Sequence, residues 1–385
     1  MTSFVAKKIK EMPYSGIRKF FDIAAEMEDV VSLGVGEPDF ITPLNIREEA
    51  IYSMVHRNTR YTSNAGMPEL RKEIQRYLSI KYGLEYDYNK QILVTVGASE
   101  GIDIALRSII EPGDEVLIIE PCFVSYVSCV IMAGGVPVII PTYAANDFRV
   151  TVEEIEAKIT KKTKAIMISY PNNPTGAILE RKDIENIAAF LRDKEIVVIT
   201  DEIYAELTYG EPHVSIAAQP GMAEKTIVLN GFSKAFAMTG WRLGYACGPK
   251  DIISAMTKVH QYAIMCAPTT AQYAGLEALR NGEESVVAMR NEYDIRRRFI
   301  LDEFRNIGID CFNARGAFYL FPSISQYGMT SEEFCNKLLH EQRLAVVPGT
   351  AFGACGEGYV RCSYAYSIDS IGEALSRLNK FIKSL

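Results

Sequence analysis

Short apolar runs alternate with amphipathic stretches between about residues 90 and 250 of the chain. Seven of these runs are predicted to be strands: QILVTVG, EVLIIEP, VPVIIP, KAIMISYP, EIVVIT, TIVLN and LGYACG. The stretches between them, such as SEGIDIALRSII and RKDIENIAAFLRDK, have helical periodicity, and TVEEIEAKI begins with Thr151 and Glu154 in the spacing of a capping box. Nearly continuous apolar strands that alternate with helices are typical of βαβ units. The pattern therefore predicts an α/β fold with a mostly parallel sheet covered on both faces.

The pattern changes toward the C-terminus, where a long charged helix is predicted over about residues 283–306. It is followed by IDCFNARGAFYLFPSI, which contains two strand-like pieces, then by a helix, two more strand-like pieces and a terminal amphipathic helix. The N-terminal 45 or so residues carry no βαβ pattern and are expected to pack onto this α+β unit. We predict a large domain at 46–282 and a small domain built from 1–45 and 283–385.

Composition narrows the range of partners. The formal net charge is −7, which argues against nucleic acid because neutralising phosphates requires clustered Lys and Arg. No run approaches the length of a membrane span, and the N-terminus lacks the continuous apolar segment of a signal peptide. The eight cysteines are scattered singly, and with only four histidines no zinc-like spacing occurs. We expect a soluble protein of the reducing cytoplasm that binds neither metal, nucleic acid nor membrane.

Four polar segments each begin where a predicted strand ends. They are Gly97–Ser99, the YPNNPTG sequence, Asp201–Tyr204 and Phe232–Lys234. In open parallel sheets, ligands bind outside the carboxyl ends of the strands. The four segments are therefore predicted to converge at one edge of one sheet.

Three of these residues have chemistry that suits a cofactor ring. Lys234 could form a Schiff base with an aldehyde if its amine is deprotonated, or could be a lysine that reaches solvent from a strand end. Asp201 could pair with a protonated ring nitrogen, or could cap a helix. Tyr204 lies three residues on and could donate to a phenolate oxygen, or could be a core tyrosine.

Further residues could hold an anion and the rest of the ring. Ala98 and Ser99 open a helix whose free N–H groups would bind an anion, and Arg242 could clamp a phosphate or pair with a carboxylate in the fold. Asn173 could bond the ring oxygen or simply belong to a tight turn. Phe123 follows a strand end and could lie flat on an aromatic ring, or be a core aromatic.

Arg361, in the second unit, is flanked by strand-like residues, and a bidentate grip on a substrate carboxylate would suit it. Together the set provides an anion cradle, a ring stacker, a carboxylate for a ring nitrogen, donors for a ring hydroxyl, and an amine for an aldehyde. That combination describes a site for pyridoxal phosphate holding an amino acid.

Several motifs also carry a family resemblance. YTSNAGMPELR, PNNPTG, DEIYAEL, SKAFAMTGWRLGY, ARGAFYLFP and YVRCSYA resemble the class I/II (fold type I) pyridoxal-phosphate-dependent aminotransferases, nearest the bacterial aspartate/aromatic and N-acetyl-diaminopimelate branch. The likeness extends from about Ser15 to the C-terminus. It implies the fold type I architecture, with a large domain built on a mostly parallel seven-stranded sheet between helices and a smaller α+β domain.

The resemblance implies the cofactor contacts residue by residue. Lys234 would carry pyridoxal phosphate as an internal aldimine and shuttle the proton. Asp201 would pair with the pyridine nitrogen, and Tyr204 and Asn173 with the ring hydroxyl oxygen, while Phe123 would cover the ring. The phosphate would be held by residues of the same motifs: Ala98, Ser99 and Arg242.

One position departs from the family pattern. Further residues would bind the substrate or reach a second subunit. Gly231 stands where many relatives have a phosphate-binding serine, so Ser233 or backbone amides would substitute. Gly36 and Arg361 would hold the substrate α-carboxylate, with Phe123 and Asn173 also beside the substrate. Tyr61 would reach the phosphate of the neighbouring subunit in a homodimer with active sites at its interface.

The implied activity is transfer of the amino group of an L-amino acid to a 2-oxo acid, with 2-oxoglutarate as the expected acceptor, by a ping-pong mechanism. A C–S β-lyase or related lyase shares the fold and motifs and remains the alternative. Arg18 and Arg315 are candidates for a second substrate carboxylate, or are surface charges. The Tyr14–Arg18 segment is expected to close over the substrate.

Overall fold

The computed structural model describes residues 4–12, 27–56 and 58–385. Helices α1 to α12 span Lys7–Glu11, Leu44–Val55, Pro68–Tyr82, Gly97–Ile109, Ser125–Ala133, Val152–Glu156, Arg181–Arg192, Lys250–Ala263, Thr269–Asn281, Glu283–Asn306, Ser331–Gln342 and Ile368–Ser384. Strands β1 to β12 span Val31–Ser32, Ile92–Thr95, Glu115–Glu120, Val136–Pro141, Thr163–Ile168, Val197–Asp201, Thr226–Gly231, Gly244–Cys247, Tyr319–Leu320, Leu344–Ala345, Val347–Pro348 and Val360–Ser363.

The seven predicted strands form one sheet in the order β2-β8-β7-β6-β5-β3-β4. β8 runs antiparallel to both of its neighbours, and all other adjacent pairs are parallel. The exception has a simple cause, because β7 and β8 are joined by the short segment 232–243 rather than by a crossover helix. That connection contains Lys234. The prediction of a mostly parallel seven-stranded sheet is confirmed.

The apolar runs are strands because helices bury them on both faces. Every residue of β2, β7 and β8 is buried, and separate hydrophobic clusters lie on the two sides of the sheet. The helix at Val152–Glu156 begins with the predicted capping box, in which Thr151 accepts from the Glu154 amide and the Glu154 carboxylate accepts from the Thr151 amide. The long charged helix begins and ends where the sequence predicts it, at Glu283 and Asn306.

A second set of elements forms the smaller α+β part. Its strands make a three-stranded antiparallel sheet in the order β11-β12-β9 and a two-stranded parallel sheet of β1 and β10. Helices α10, α11 and α12 pack around a shared core that includes Tyr293, Phe334 and Phe381. Since β1 pairs with β10, the segment near residue 31 joins this part of the molecule. The N-terminal α1 instead contacts α5, where Lys8 Nζ donates to the Met132 carbonyl. The boundaries 1–45, 46–282 and 283–385 remain a prediction.

The sequence IDCFNARGAFYLFPSI contains only one strand, at Tyr319–Leu320, so the prediction of two strand-like pieces is wrong for the first piece. The backbone groups of that piece bond to loops instead of to a ladder. Gly316 N donates to the Gly176 carbonyl, and Tyr209 N donates to the Arg315 carbonyl. In the described part of the chain, no helix combines the length and the apolar character that crossing a membrane requires.

Candidate active site

The polar segments that follow β2, β5, β6 and β7 all reach one cavity of about 340 Å³ at the carboxyl edge of the sheet. Segments from the smaller α+β part close its other side. Eleven residues proposed from the sequence line it: Gly36, Ala98, Ser99, Phe123, Asn173, Asp201, Tyr204, Ser233, Lys234, Arg242 and Arg361. Tyr61 does not.

Lys234 projects into this cavity from the β7–β8 connection. Its Nζ donates to the Gly36 carbonyl over 2.7 Å and lies 5.5 Å and 5.8 Å from the ring centroids of Phe318 and Tyr204. Burial lowers the pKa of Lys234 from 10.5 to about 8; the negative charge of Glu37 opposes this shift, and nearby Arg361 adds to it. About a tenth of the amine is therefore neutral at pH 7, far more than for an ordinary lysine.

Asp201 is the last residue of β6 and is buried. Its Oδ2 accepts from the Tyr126 hydroxyl over 2.7 Å, and its Oδ1 accepts from the Ile203 amide over 3.2 Å. No helix follows Asp201, so the capping alternative does not apply. Burial raises the pKa of Asp201, while these two hydrogen bonds counteract the shift. Among the described residues no basic side chain forms an ion pair with this carboxylate, so a cation in the cavity would find an unpaired partner.

The Tyr204 hydroxyl is buried and lies 2.8 Å from the hydroxyl of Tyr319. Gly36 approaches the same pair from the N-terminal segment, and a Cβ at this position would collide with the Tyr319 hydroxyl. Only glycine lets the backbone come this close, which places the Gly36 carbonyl within reach of Lys234. The site therefore depends on close packing between the two parts of the molecule.

Arg361 lies in the middle of β12 with its guanidinium in the cavity wall. Its Nη1 donates to Asn173 Oδ1 over 2.9 Å and its Nη2 donates to the Gly34 carbonyl over 2.5 Å. The guanidinium carbon lies 4.5 Å from the Tyr319 ring centroid. Its Nε is buried and has no hydrogen-bonding partner among the described residues. A guanidinium that is fixed in place and only partly satisfied is suited to bind a carboxylate.

The anion cradle predicted from the sequence would lie where α4 begins. Ala98 and Ser99 lie in its first turn, whose backbone N–H groups have no acceptor within the helix. Gly97 has φ +76°, and a Cβ there would lie 2.7 Å from Nη2 of Arg242. Glycine therefore allows the arginine to lie directly against the helix N-terminus. Arg242 donates to the Thr239 carbonyl and forms no ion pair with a described residue, so the alternative of a carboxylate partner does not apply.

Comparison with known proteins identifies the family. The family model "Aminotransferase class I and II" matches residues 28–378. The chain belongs to the class I and II aminotransferases. It is 52% identical to "Putative aminotransferase YugH" of Bacillus subtilis, with 99% of each chain covered, and 47% identical to an aspartate aminotransferase of Pyrococcus abyssi, with 96% of each covered. A solved aromatic aminotransferase from Pyrococcus horikoshii is 43% identical with a TM-score of 0.91, covering 96% of this chain and 99% of that one.

Family and fold are thus as the sequence motifs implied: the protein is an aminotransferase with the fold type I α/β architecture. The relatives are named for different amino donors, aspartate and aromatic amino acids among them. Membership in the family therefore fixes the reaction class and leaves the donor open.

The aminotransferase departs from the motif pattern at Gly231, and the structure supplies a physical reason. A Cβ at Gly231 would lie 3.0 Å from both the Gly244 Cα and the Leu243 carbonyl oxygen, because β7 and β8 approach closely there. A serine at this position would require the backbone to move. Ser233, two residues on, lines the cavity instead.

Two proposed residues lie outside the cavity. Tyr61 is 81% exposed, and Arg315 pairs with Glu180 over 2.6 Å, as the surface-charge alternative predicts. Arg18, and with it the Tyr14–Arg18 segment, lies outside the described residues. Within the described ranges no group of three or more His, Cys, Asp or Glu side chains could hold a metal ion.

Sequence reasoning missed five polar cavity residues: Glu37, Tyr126, Ser169, Thr239 and Tyr319. The Thr239 hydroxyl donates to Glu37, joining the N-terminal segment to the loop that carries Lys234. Tyr126 is in the first turn of α5, and Phe123 lies two residues before that helix begins, so both follow the same strand end. Thr239 and Tyr319 lie within motifs that carry the family resemblance, and Glu37 follows Gly36, but nothing in their spacing distinguishes them from core or surface residues.

Proposed function

We propose that this aminotransferase binds pyridoxal 5′-phosphate in the cavity, joined to Lys234, and transfers the amino group of an L-amino acid to 2-oxoglutarate. The observation that carries the proposal is a lysine of lowered pKa and a buried, unpaired carboxylate, Asp201, in one cavity. The reaction would have two halves: the amino donor first leaves as an oxo acid, and only then does the acceptor bind. This order is a ping-pong mechanism.

The residues present fit this cofactor. No basic side chain in the described part of the chain forms an ion pair with Asp201, which suits a protonated ring nitrogen. Tyr204 and Asn173 offer polar atoms for the ring hydroxyl oxygen. Phe123 supplies an aromatic face. The phosphate would be held at the helix N-terminus by the backbone and side chains of Ala98, Ser99, Ser233 and Arg242.

Bound pyridoxal phosphate supplies an electron-poor ring that accepts the electron pair of the broken Cα–H bond. The protein moves the proton. Once the substrate amine has replaced it on the cofactor, Lys234 Nζ would be a free amine whose lowered pKa lets it accept the α-proton in its neutral form and return it as an ammonium. Asp201 supplies the negative charge that keeps a ring nitrogen protonated, and the Tyr126 hydroxyl fixes the direction of that carboxylate.

Arg361 would bind the substrate α-carboxylate. Its Nη1 and Nη2 are held by Asn173 and by the Gly34 carbonyl, so the guanidinium plane is already oriented before a substrate arrives. The backbone of Gly36 would complete the carboxylate site. Phe123 and Asn173, which also line the cavity, would be beside both cofactor and substrate.

A homodimer follows from the same proposal, with Tyr61 serving the neighbouring subunit's phosphate. The Tyr61 ring is 81% exposed, although the backbone beside it is anchored. Thr269 Oγ1 donates to the Arg60 carbonyl, and Gln272 Nε2 donates to the Thr62 hydroxyl. An aromatic ring held on a fixed backbone and pointing away from its own subunit is suited to contact another.

We also propose that the enzyme works in the cytoplasm. All eight cysteines are free, and burial raises the pKa of thiols such as Cys122 and Cys247, so they behave as apolar core side chains. Free thiols are typical of a reducing compartment.

The proposal is tested by giving the loaded enzyme one amino acid without an acceptor. We expect one equivalent of oxo acid per site and then no further release until 2-oxoglutarate is added. Aspartate, aromatic amino acids and N-acetyl-diaminopimelate are the donors to compare. Continuous release of pyruvate and ammonia without an acceptor would favour the lyase, and no release by any donor would reject the scheme.

A further inference from the structure

A buried hydrogen bond between a carboxylate and a histidine lies directly behind the anion cradle. Glu100, in the first turn of α4, places its Oε1 2.6 Å from Nδ1 of His260. His260 lies on α8, which packs against α4, and its ring is fully buried. The other carboxylate oxygen of Glu100 accepts from the Val96 amide over 2.5 Å. Neither residue lines the cavity, so neither belongs to the site as described so far.

The contact with Val96 determines which backbone donors remain free. Val96 precedes the first residue of α4, and the N–H groups at a helix start have no acceptor inside the helix. Glu100 satisfies the amide of Val96 and leaves those of Ala98 and Ser99 for a ligand. It also fixes the turn at Gly97, against which Arg242 packs. The free amides and the position of Arg242 therefore both depend on the orientation of the Glu100 carboxylate.

His260 determines that orientation. An ionised carboxylate can only accept, so Nδ1 must carry the hydrogen in this contact. The Nε2 atom is buried and has no hydrogen-bonding partner among the described residues, so a hydrogen on Nε2 as well would leave a buried donor unsatisfied. The neutral tautomer with the hydrogen on Nδ1 fits best. Without this donor the carboxylate would be free to turn toward the N–H groups that the phosphate needs.

We propose that Glu100 and His260 are positioning residues for the cofactor phosphate: Glu100 holds the turn before α4 in its anion-binding form, and His260 holds Glu100. The inference rests on the proposed function, since the ligand of the cradle is taken to be the phosphate of pyridoxal phosphate.

The test compares pyridoxal phosphate with pyridoxal, which lacks the phosphate, by equilibrium dialysis against the full-length chain. His260→Leu removes the donor, and we expect at least about a tenfold weaker affinity for pyridoxal phosphate with little change for pyridoxal. His260→Asn, whose amide nitrogen can replace Nδ1, should recover most of the loss. Ile253→Ala, also buried on α8, controls for loosened helix packing and should not separate the two ligands.

Glu100→Ala provides a second and sharper measurement. If Glu100 were merely a nearby negative charge, its removal would strengthen phosphate binding, whereas a positioning role requires binding to weaken. Tighter binding by Glu100→Ala would overturn the inference, as would equal losses for pyridoxal and pyridoxal phosphate in His260→Leu. Arg242→Ala tests the phosphate site separately from the roles of Glu100 and His260. If this variant binds pyridoxal phosphate as the parent does, the phosphate does not bind at the cradle, and the inference falls with it.

Discussion

The Tyr126 hydroxyl donates a 2.7 Å hydrogen bond to Oδ2 of Asp201, joining the start of α5 to the end of β6. The Tyr126 oxygen also lies 2.8 Å from Ser169 Oγ, which can donate to it. This chain of hydroxyls stabilises the charged form of a carboxylate that burial alone would tend to neutralise.

Tyr126→Phe should therefore lower kcat/KM about tenfold, the cost of one hydrogen bond to a charged group. Asp201→Ala removes the charge itself and should lower it about 10³-fold while leaving the chain folded. Steady-state kinetics measure both, with Tyr143→Phe, an exposed tyrosine, as the matched control. If Tyr126→Phe behaves like Tyr143→Phe, the contact with Asp201 has no part in turnover.

The reactivity of Lys234 should follow a pKa of about 8. In chain freed of cofactor, labelling of Lys234 by acetic anhydride should rise about tenfold per pH unit up to that value and level off above it, because only the neutral amine reacts. Peptide mass spectrometry measures the label. A lysine in a short unstructured peptide, added to the same reaction, should keep rising to about pH 10. The same continued rise at Lys234 would contradict the assigned shift.

Arg361→Lys should impair substrate binding, although the positive charge is kept. A lysine cannot reproduce the planar fork held by Asn173 and the Gly34 carbonyl, so we expect kcat/KM to fall about 10²-fold. The matched control is Arg315→Lys, which alters only a surface ion pair with Glu180 and should change little. Equal and small effects in both variants would remove Arg361 from the substrate site.

The role proposed for Tyr61 requires two subunits. Tyr61→Ala and Lys234→Ala should each be impaired alone, but mixing and refolding them together should restore activity. In a mixed dimer one site combines an intact Lys234 with an intact Tyr61 of the other subunit, giving at most about a quarter of the parent activity. Absence of any recovery in demonstrably mixed dimers would mean that Tyr61 serves its own subunit or none.

The sheet and the convergence of the polar segments at its carboxyl edge were predictable, because both follow from short stretches of the sequence. The runs that form β2 and β7 are mostly apolar and fully buried since helices cover both faces, and the polar segments proposed for ligand binding follow the strand ends. The antiparallel direction of β8 was not predicted, because the pattern of apolar residues is the same for either direction. The signal lies in the connection at 232–243, which contains no crossover helix.

The second layer of the site was largely hidden from the sequence. Tyr319 and Tyr126 resemble core tyrosines, and their importance comes from partners distant in the chain, Tyr204 and Asp201. Gly231 shows the same limit: the reason for a glycine lies in the approach of β8 rather than in the motif. Residues that act through another side chain leave no characteristic spacing in the sequence by which they could be recognised.

The central claim is a covalent bond between Lys234 and pyridoxal phosphate, and reductive trapping tests it most directly. The enzyme loaded with pyridoxal phosphate is treated with borohydride, digested and mapped by mass spectrometry. The account predicts a single modified peptide, with the reduced cofactor on Lys234, and no modification in Lys234→Ala. A cofactor fixed to another lysine, or an active loaded enzyme that borohydride leaves unmodified, would contradict it.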